Sequence, residues 1–382
     1  MKHLPTIENA GDIAGKHVLL RLDLNTPIVD GKVADPYRID QAIPTIDLLR
    51  LKKAKIIILA HTEAKGNTSL HPMFDYLNGF VKVQFAQKLF SAETIKMIAD
   101  MEEGDVVMLE NLRSDDGEKA NDPEFAKKLA HYGDIYVNDA FSVSHRKHAS
   151  VVGIPALLPS YLGPLFVHEV ENLSKAFTPT HPFLFILGGA KFDTKLPLIQ
   201  KYLDKADHVV VAGALANNVY KTQGFEIGTS LVSEGEFGIN HMLENPKFVA
   251  PTDVTVKKTN GALSLKKANQ VEADEYIGDV GPETIAHIEE LVKKSSLIVW
   301  NGPLGNYEAG FFDKTEQLAQ IIADSKATSI VGGGDTLASI EKLGLMNKFT
   351  FVSTAGGAML DFLVNETLPG IEAVKVKSPS SL

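Results

Sequence analysis

Five arginines stand out among the 38 basic residues: Arg21, Arg38, Arg50, Arg113 and Arg146. All five fall in the first 150 of 382 residues, and every other basic residue is a lysine. A guanidinium fork meets a carboxylate or phosphate in two places at once, so this clustering predicts an anion receptor in the first part of the chain. Glycine is biased the other way. Of 30 glycines, 20 lie after residue 163, including every adjacent pair. Glycine lets backbone N–H groups and helix N-termini come close to a phosphate. Two anion-handling surfaces of different kinds are therefore expected.

Strand-length apolar runs must position these groups. The first half offers His17–Asn25, Lys55–His61, Val81–Ala86, Asp105–Asn111 and Asp134–Asp139. The second half offers Pro182–Leu187, His208–Ala212, Asp253–Lys257, Ser296–Trp300, Thr328–Val331 and Thr350–Ser353. Near-continuous Val, Ile and Leu indicate strands buried on both faces. Stretches such as Asp122–His131 and Glu283–Lys294 have the three-and-four spacing of helices between them. The fold class expected is α/β, with two doubly wound, Rossmann-like parallel-sheet domains. A Pro- and Gly-containing join, Pro155–Pro164, precedes a stripe of Phe166, Val170, Leu173 and Phe177, which predicts a connecting helix. The expected domains are 1–163, 164–365 beginning with that helix, and a tail, 366–382, returning to the first.

Ligands of open α/β sheets sit beyond the carboxyl ends of the strands. In the first half those ends carry Asp23, Asn25, His61, Glu110 to Arg113, and Asn138 to Asp139. In the second half they carry glycines: Gly188-Gly189-Ala190-Lys191, Gly213, Asn301-Gly302-Pro303, Gly332-Gly333-Gly334-Asp335-Thr336, and Ala355-Gly356-Gly357. Asp335 is a carboxylate in a phosphate-type loop, repulsive to a polyphosphate unless a cation such as Mg²⁺ bridges the two. No G-x-x-x-x-G-K-[ST] or G-x-G-x-x-G occurs, which excludes a P-loop enzyme and an ordinary dinucleotide dehydrogenase. Absence of cysteine excludes thiolate metal sites and a cysteine nucleophile, and fits a reducing compartment. The first twelve residues lack the apolar core of a signal peptide, and no apolar run is long enough to span a bilayer. A net charge of −10 disfavours nucleic acid and anionic membranes as partners.

Along almost its whole length the chain resembles phosphoglycerate kinase. The matching segments are Arg21–Pro27, Leu109–Arg113, Asn121–Ala130, Asp134–Phe141, His145–Ser150, Leu187–Ile199, Val299–Glu308, Gly332–Thr336 and Ser353–Ala358, in the family's order. The resemblance implies phosphoryl transfer between 1,3-bisphosphoglycerate and ADP, giving 3-phosphoglycerate and ATP in glycolysis, by in-line transfer after domain closure. It implies acid contacts from Asp23, Asn25, Arg38, His61, Arg113 and Arg146, with Arg21 in the same patch. It implies catalysis by Arg38 and Lys191, and nucleotide binding by Gly189, Lys195, Gly213, Asn301, Glu308, Gly333, Gly334, Asp335 and Thr336. Asp335 would meet Mg²⁺ carried on the nucleotide. A cytoplasmic monomer is expected. Arg50 matches no motif and reads as a surface charge.

The chain departs from the family at one acid-binding segment. Where the family has His-Leu-Gly-Arg-Pro, this sequence has His61-Thr62-Glu63-Ala64-Lys65. Thr62, Glu63 and Ala64 are thus placed at the acid, but the arginine position is Ala64. Ser142 and Ala355 also stand where the family has glycine. An alternative reading follows: a nucleotide-responsive binding protein that keeps the fold with weakened catalysis.

Overall fold

Continuous apolar runs build two parallel sheets in the computed structural model, which describes residues 4–63, 68–235 and 237–375. The first sheet comprises β1 (His17–Arg21), β2 (Lys55–Leu59), β3 (Gln84–Ala86), β4 (Val106–Leu109), β5 (Ile135–Asn138) and β6 (Ser160–Leu162). Their order is β3-β4-β2-β1-β5-β6, with every pairing parallel. Side chains alternate between two cores. Val18, Leu20, Ile56 and Ile58 pack with Ile46 and Leu49 of the helix Tyr37–Leu51. Leu19, Ile57 and Leu59 pack with Phe125 and Leu129 of the helix Pro123–Ala130. That second helix starts where Asp122 accepts the Phe125 N–H and Pro123 needs no donor partner.

The second sheet comprises β7 (Phe183–Leu187), β8 (His208–Val211) and β9 (Phe248–Val249), and, later in the chain, three further strands. Between them, β10 (Asp253–Lys258), β11 (Leu263–Lys267) and β12 (Glu275–Val280) form a separate antiparallel sheet in the order β11-β10-β12. The run Asp253–Lys257, expected in a parallel sheet, belongs here instead. Its partners escaped notice because Leu263 and Leu265 are exposed among lysines, leaving no continuous apolar run. The parallel sheet resumes with β13 (Leu297–Asn301), β14 (Thr328–Gly332) and β15 (Phe351–Ser353), in the order β9-β8-β7-β13-β14-β15.

The segment Pro155–Pro164 is also more than a join, because Ser160–Leu162 is the sixth strand of the first sheet. The helix that follows is Pro164–Leu173, with Phe166, Val170 and Leu173 buried. The Asp139 carboxylate, just past β5, accepts the Phe166 N–H and fixes the first turn. Among the described residues, the chain divides into two compact units, 4–171 with 367–375, and 172–366. The boundary therefore falls inside this helix, later than its first residue. Helix Pro369–Lys375 packs on residues 149–153 of the first unit, where Gly370 donates its N–H to the Ser144 carbonyl. No helix among the described residues is long and apolar enough to cross a membrane.

Gly188, at the end of β7, shows how tightly the second sheet's loops are packed. A Cβ there would run into the Pro303 carbonyl oxygen. Trp300, the only tryptophan, is fully buried on neighbouring β13 and donates its indole N–H to the Gly302 carbonyl at 2.9 Å. Gly188→Ala is expected to destabilise the second unit by about 3 kcal/mol or more, because backbone must shift to relieve the clash. Urea unfolding followed by Trp300 fluorescence measures it; an unchanged midpoint would contradict this packing.

Candidate functional site

All strands of the first sheet run the same way, so their carboxyl ends share one edge. Arg21 ends β1, His61 follows β2, and Asn111 to Arg113 follow β4. Arg21 is fully buried. Its Nε donates to the Ser150 hydroxyl at 2.9 Å, one terminal nitrogen to the Leu22 carbonyl at 2.5 Å, and the other to His61 Nδ1 at 3.1 Å. The Ser150 hydroxyl in turn donates a hydrogen bond to the buried Glu118 carboxylate at 2.5 Å, and Glu118 also accepts the Ser150 N–H. Arg21, expected in the acid patch, is thus fully buried with its fork committed to Ser150, Leu22 and His61. Sequence reading missed Glu118; it sits in a short polar helix, Asp116–Ala120, where nothing in the pattern marks one carboxylate as buried.

An arginine can only donate, so His61 Nδ1 must accept, and its proton resides on Nε2. Burial, then the charges of Arg21, Arg113, Arg146 and His148, hold the imidazole well below the ordinary histidine range. His61 is therefore a neutral ring with one free donor edge.

Beside it, Arg38 donates to the Asp23 carboxylate at 2.6 Å and to the Asn25 carbonyl at 3.3 Å. Asp23 also accepts from the Ser142 hydroxyl at 2.5 Å and from the Asn25 N–H at 3.1 Å. Ser142, a departure from the family, thus supports the Asp23–Arg38 pair. The Asn25 side-chain oxygen accepts the Glu63 N–H at 2.9 Å and the Thr62 hydroxyl at 3.4 Å. Asn111 grips the same segment, accepting the Thr62 N–H and donating to the Thr62 and Thr68 carbonyls. Asn111 was noted at a strand end but not as a site residue. The Glu63 carboxylate lies 2.5 Å from Arg113, 3.0 Å from Lys119 and 3.9 Å from Arg146. Ala64 and Lys65 lie outside the described residues. Arg50 pairs with Asp47 at 3.3 Å, apart from this network, as expected of a surface charge.

The second surface is made by backbone. Gly189, Gly213, Gly302, Gly333 and Gly356 all have positive φ after successive strands of the second sheet. Ala355 carries no positive φ, so glycine's absence there is tolerated while Gly356 makes the turn. Lys195, one turn into the helix Phe192–Lys205, is buried, donates to the Gly188 carbonyl and reaches Asn301 Oδ1 at 3.3 Å. Burial pushes its ammonium down to about 8, a cost that a nearby anion would reverse. Lys191 stands exposed at the N-cap of that helix. Thr336, in the first turn of helix Gly334–Lys342, is fully buried, and its hydroxyl has no hydrogen-bond partner among the described residues.

A cavity of about 220 Å³ in the second unit is lined by Gly189, Gly213, Glu308 and Asp335 from the expected set. It is also lined by Tyr276, Gly278 and Leu304, which sequence reading did not single out. Lys195, Asn301, Gly333, Gly334 and Thr336 do not line it. Tyr276 and Gly278 come from β12, the strand hidden by its mixed composition.

A side-chain anion receptor on one α/β unit and a glycine-built phosphate surface on another define a phosphoryl-transfer protein of two-domain type. A family model described as phosphoglycerate kinase matches residues 7–366. A phosphoglycerate kinase of Orientia tsutsugamushi (strain Boryong) is 40% identical over 96% of both chains, and one of Dictyoglomus turgidum 39% identical over 96% of this chain and 97% of its own. The solved phosphoglycerate kinase of Coxiella burnetii is 36% identical, with a TM-score of 0.85 over 98% of this chain and all of its own. That of Pyrococcus horikoshii is 30% identical, with a TM-score of 0.84 over 98% and 99%. The chain belongs to the phosphoglycerate kinase family, a family of glycolytic kinases. These matches do not favour the reading of a binding protein with weakened catalysis.

Neutral, buried His61 gives a pH signature. The unfolded chain takes up a proton near pH 6.5, while the folded site resists it, so stability falls as pH drops below that value. The loss at pH 5.5 is expected to be on the order of 1 kcal/mol. His61→Gln, which can still accept from Arg21, removes this titration. Thermal unfolding at pH 7.5 and 5.5 should show a larger drop in wild type than in His61→Gln; equal drops would contradict it.

Proposed function

We propose that the chain moves a phosphoryl group between 1,3-bisphosphoglycerate and ADP, giving 3-phosphoglycerate and ATP. The observation that carries this reading is the pairing of the Arg38, His61, Arg113 and Arg146 patch in one unit with the glycine-lined cavity in the other. The acid, with its carboxylate and phosphate, binds through Arg38, Arg113, Arg146 and the Nε2–H of His61, with Asp23, Asn25 and the Thr62–Ala64 segment around it. The nucleotide occupies the cavity, its ribose near Glu308 and its phosphates over Gly189, Gly213, Gly333, Gly334 and Thr336, with Asn301 supporting Lys195.

The attacking carboxylate is already ionised at neutral pH, so no general base is required. Rate enhancement then comes from in-line positioning and from neutralising the moving phosphoryl oxygens. Arg38 and Lys191 supply that charge, and Lys195 steadies the nucleotide phosphates. Because acid and nucleotide groups belong to different units, direct transfer requires domain closure. Mg²⁺ enters as part of the nucleotide substrate. Among the described residues no cluster of three or more His, Asp or Glu could hold a metal alone. Exposed Asp335, at the first turn of its helix and on the cavity wall, fits a single protein ligand to an ion otherwise held by phosphate and water. A cytoplasmic monomer is the setting proposed.

A coupled assay with Mg-ATP and 3-phosphoglycerate tests the reaction. Arg38→Ala should lower kcat by at least a hundredfold, the loss of a charge-assisted contact in the transition state, roughly 3 kcal/mol. Arg50→Ala should leave turnover within about twofold of wild type, as befits a solvated surface pair. No turnover in wild type, or equal behaviour of the two variants, would overturn the reading.

A further inference from the structure

The Arg113 guanidinium is buried yet badly served. Its side chain is only 2% exposed, and among the described residues its Nε and second terminal nitrogen have no hydrogen-bond partner. What neutralises it is the Glu63 carboxylate, 2.5 Å from one terminal nitrogen, a single contact for a group with five donors. The same carboxylate takes Lys119 at 3.0 Å and faces Arg146 at 3.9 Å. Burial pulls the Arg113 charge down, and Glu63 is its main compensation. For Glu63, burial raises the carboxyl, but Lys119 and Arg113 outweigh it and hold it below the usual carboxylate range.

The two partners are unequal in what separation would cost them. Arg113 cannot reach water, whereas Glu63 is 42% exposed and its backbone N–H is pinned to Asn25 at 2.9 Å. Side-chain rotation alone would return the Glu63 carboxylate to solvent without moving the main chain. An incoming oxyanion with two or three oxygens could then also meet the Arg113 nitrogens that Glu63 leaves without a partner.

We infer that Glu63 is a built-in competitor. Its carboxylate occupies the Arg113–Lys119–Arg146 anion subsite in the free protein, and the acid substrate must displace it to bind. The inference rests on the acid-binding function proposed for this patch. Glu63 thereby sets the affinity for the acid and favours anions with enough charge to win the exchange. A dianionic phosphate group gains two charges' worth of attraction against one, while a lone carboxylate merely replaces like with like. The nucleotide side, in the other unit, is unaffected.

The test is titration of 3-phosphoglycerate into wild type, Glu63→Gln and Glu63→Ala, with inorganic phosphate as a second probe, competing against 3-phosphoglycerate in the coupled assay. Both variants should bind the acid about tenfold more tightly, the scale of one partly solvated charge-assisted contact. KM for the acid and the inhibition constant of phosphate should fall together, with KM for the nucleotide unchanged. Two variants guard against loss of packing, since Gln keeps the shape and removes only the charge. If either folded variant binds the acid as wild type does or more weakly, Glu63 supports the arginines instead of competing for them, and the inference fails while the function stands. If wild type neither binds 3-phosphoglycerate nor turns over, the function fails and the inference goes with it.

Discussion

The Arg21 guanidinium carries a full charge into a place with no solvent, and the first unit is organised around answering it. An unpaired buried charge would cost several kcal/mol, so the protein supplies Glu118, with the Ser150 hydroxyl between them. The other side of the fork is directed at His61. One buried cation therefore does two jobs. It ties the ends of β1 and β2 to the helical turn Ala149–Gly153, and it decides which nitrogen of His61 is free to donate. The outer groups, Arg38 with Asp23 and Arg113 with Glu63, are then presented around a ring whose protonation is settled from behind.

The two units present different chemistry at their strand ends. The first gathers guanidinium groups, whose forks match, in the reading proposed here, a small acid carrying a carboxylate and a phosphate. The second gathers positive-φ glycines, which in the same reading let a longer polyphosphate approach the backbone at several strand ends. Lys195 belongs to both styles: a cation, but buried, and anchored to the Gly188 carbonyl and Asn301 at the strand ends. Its depressed affinity for a proton marks a site that becomes more comfortable when an anion arrives.

Much of this was legible in the sequence, because parallel strands buried on both faces leave continuous Val, Ile and Leu runs, and because their carboxyl ends carry the polar groups. Reasoning of that kind singled out His61, Arg113, Gly189 and Asp335, which the structure places just beyond strand ends. Three things were hidden for identifiable reasons. β11 and β12 flank β10 in the antiparallel sheet, and neither shows a continuous apolar run. β11 sets exposed leucines among lysines, and β12 mixes Glu275, Gly278 and Asp279 with its apolar residues, so Tyr276 and Gly278 of the cavity wall went unnoticed with them. Glu118 lies among other acidic and polar residues, and only the fold tells which one turns inward. Arg21 looked like a ligand because arginine clusters suggest one; its burial could not be deduced from type or spacing.

The central claim is that a buried arginine fixes His61 as a neutral ring protonated on Nε2. Nitrogen-15 NMR of histidine-labelled protein, with His61 assigned by its Gln variant, reads both ring nitrogens directly. The account predicts an unprotonated Nδ1 and a protonated Nε2, persisting from pH 8 to well below pH 6.5. A ring that takes up a second proton near pH 6.5, or one that carries its single proton on Nδ1, would contradict it.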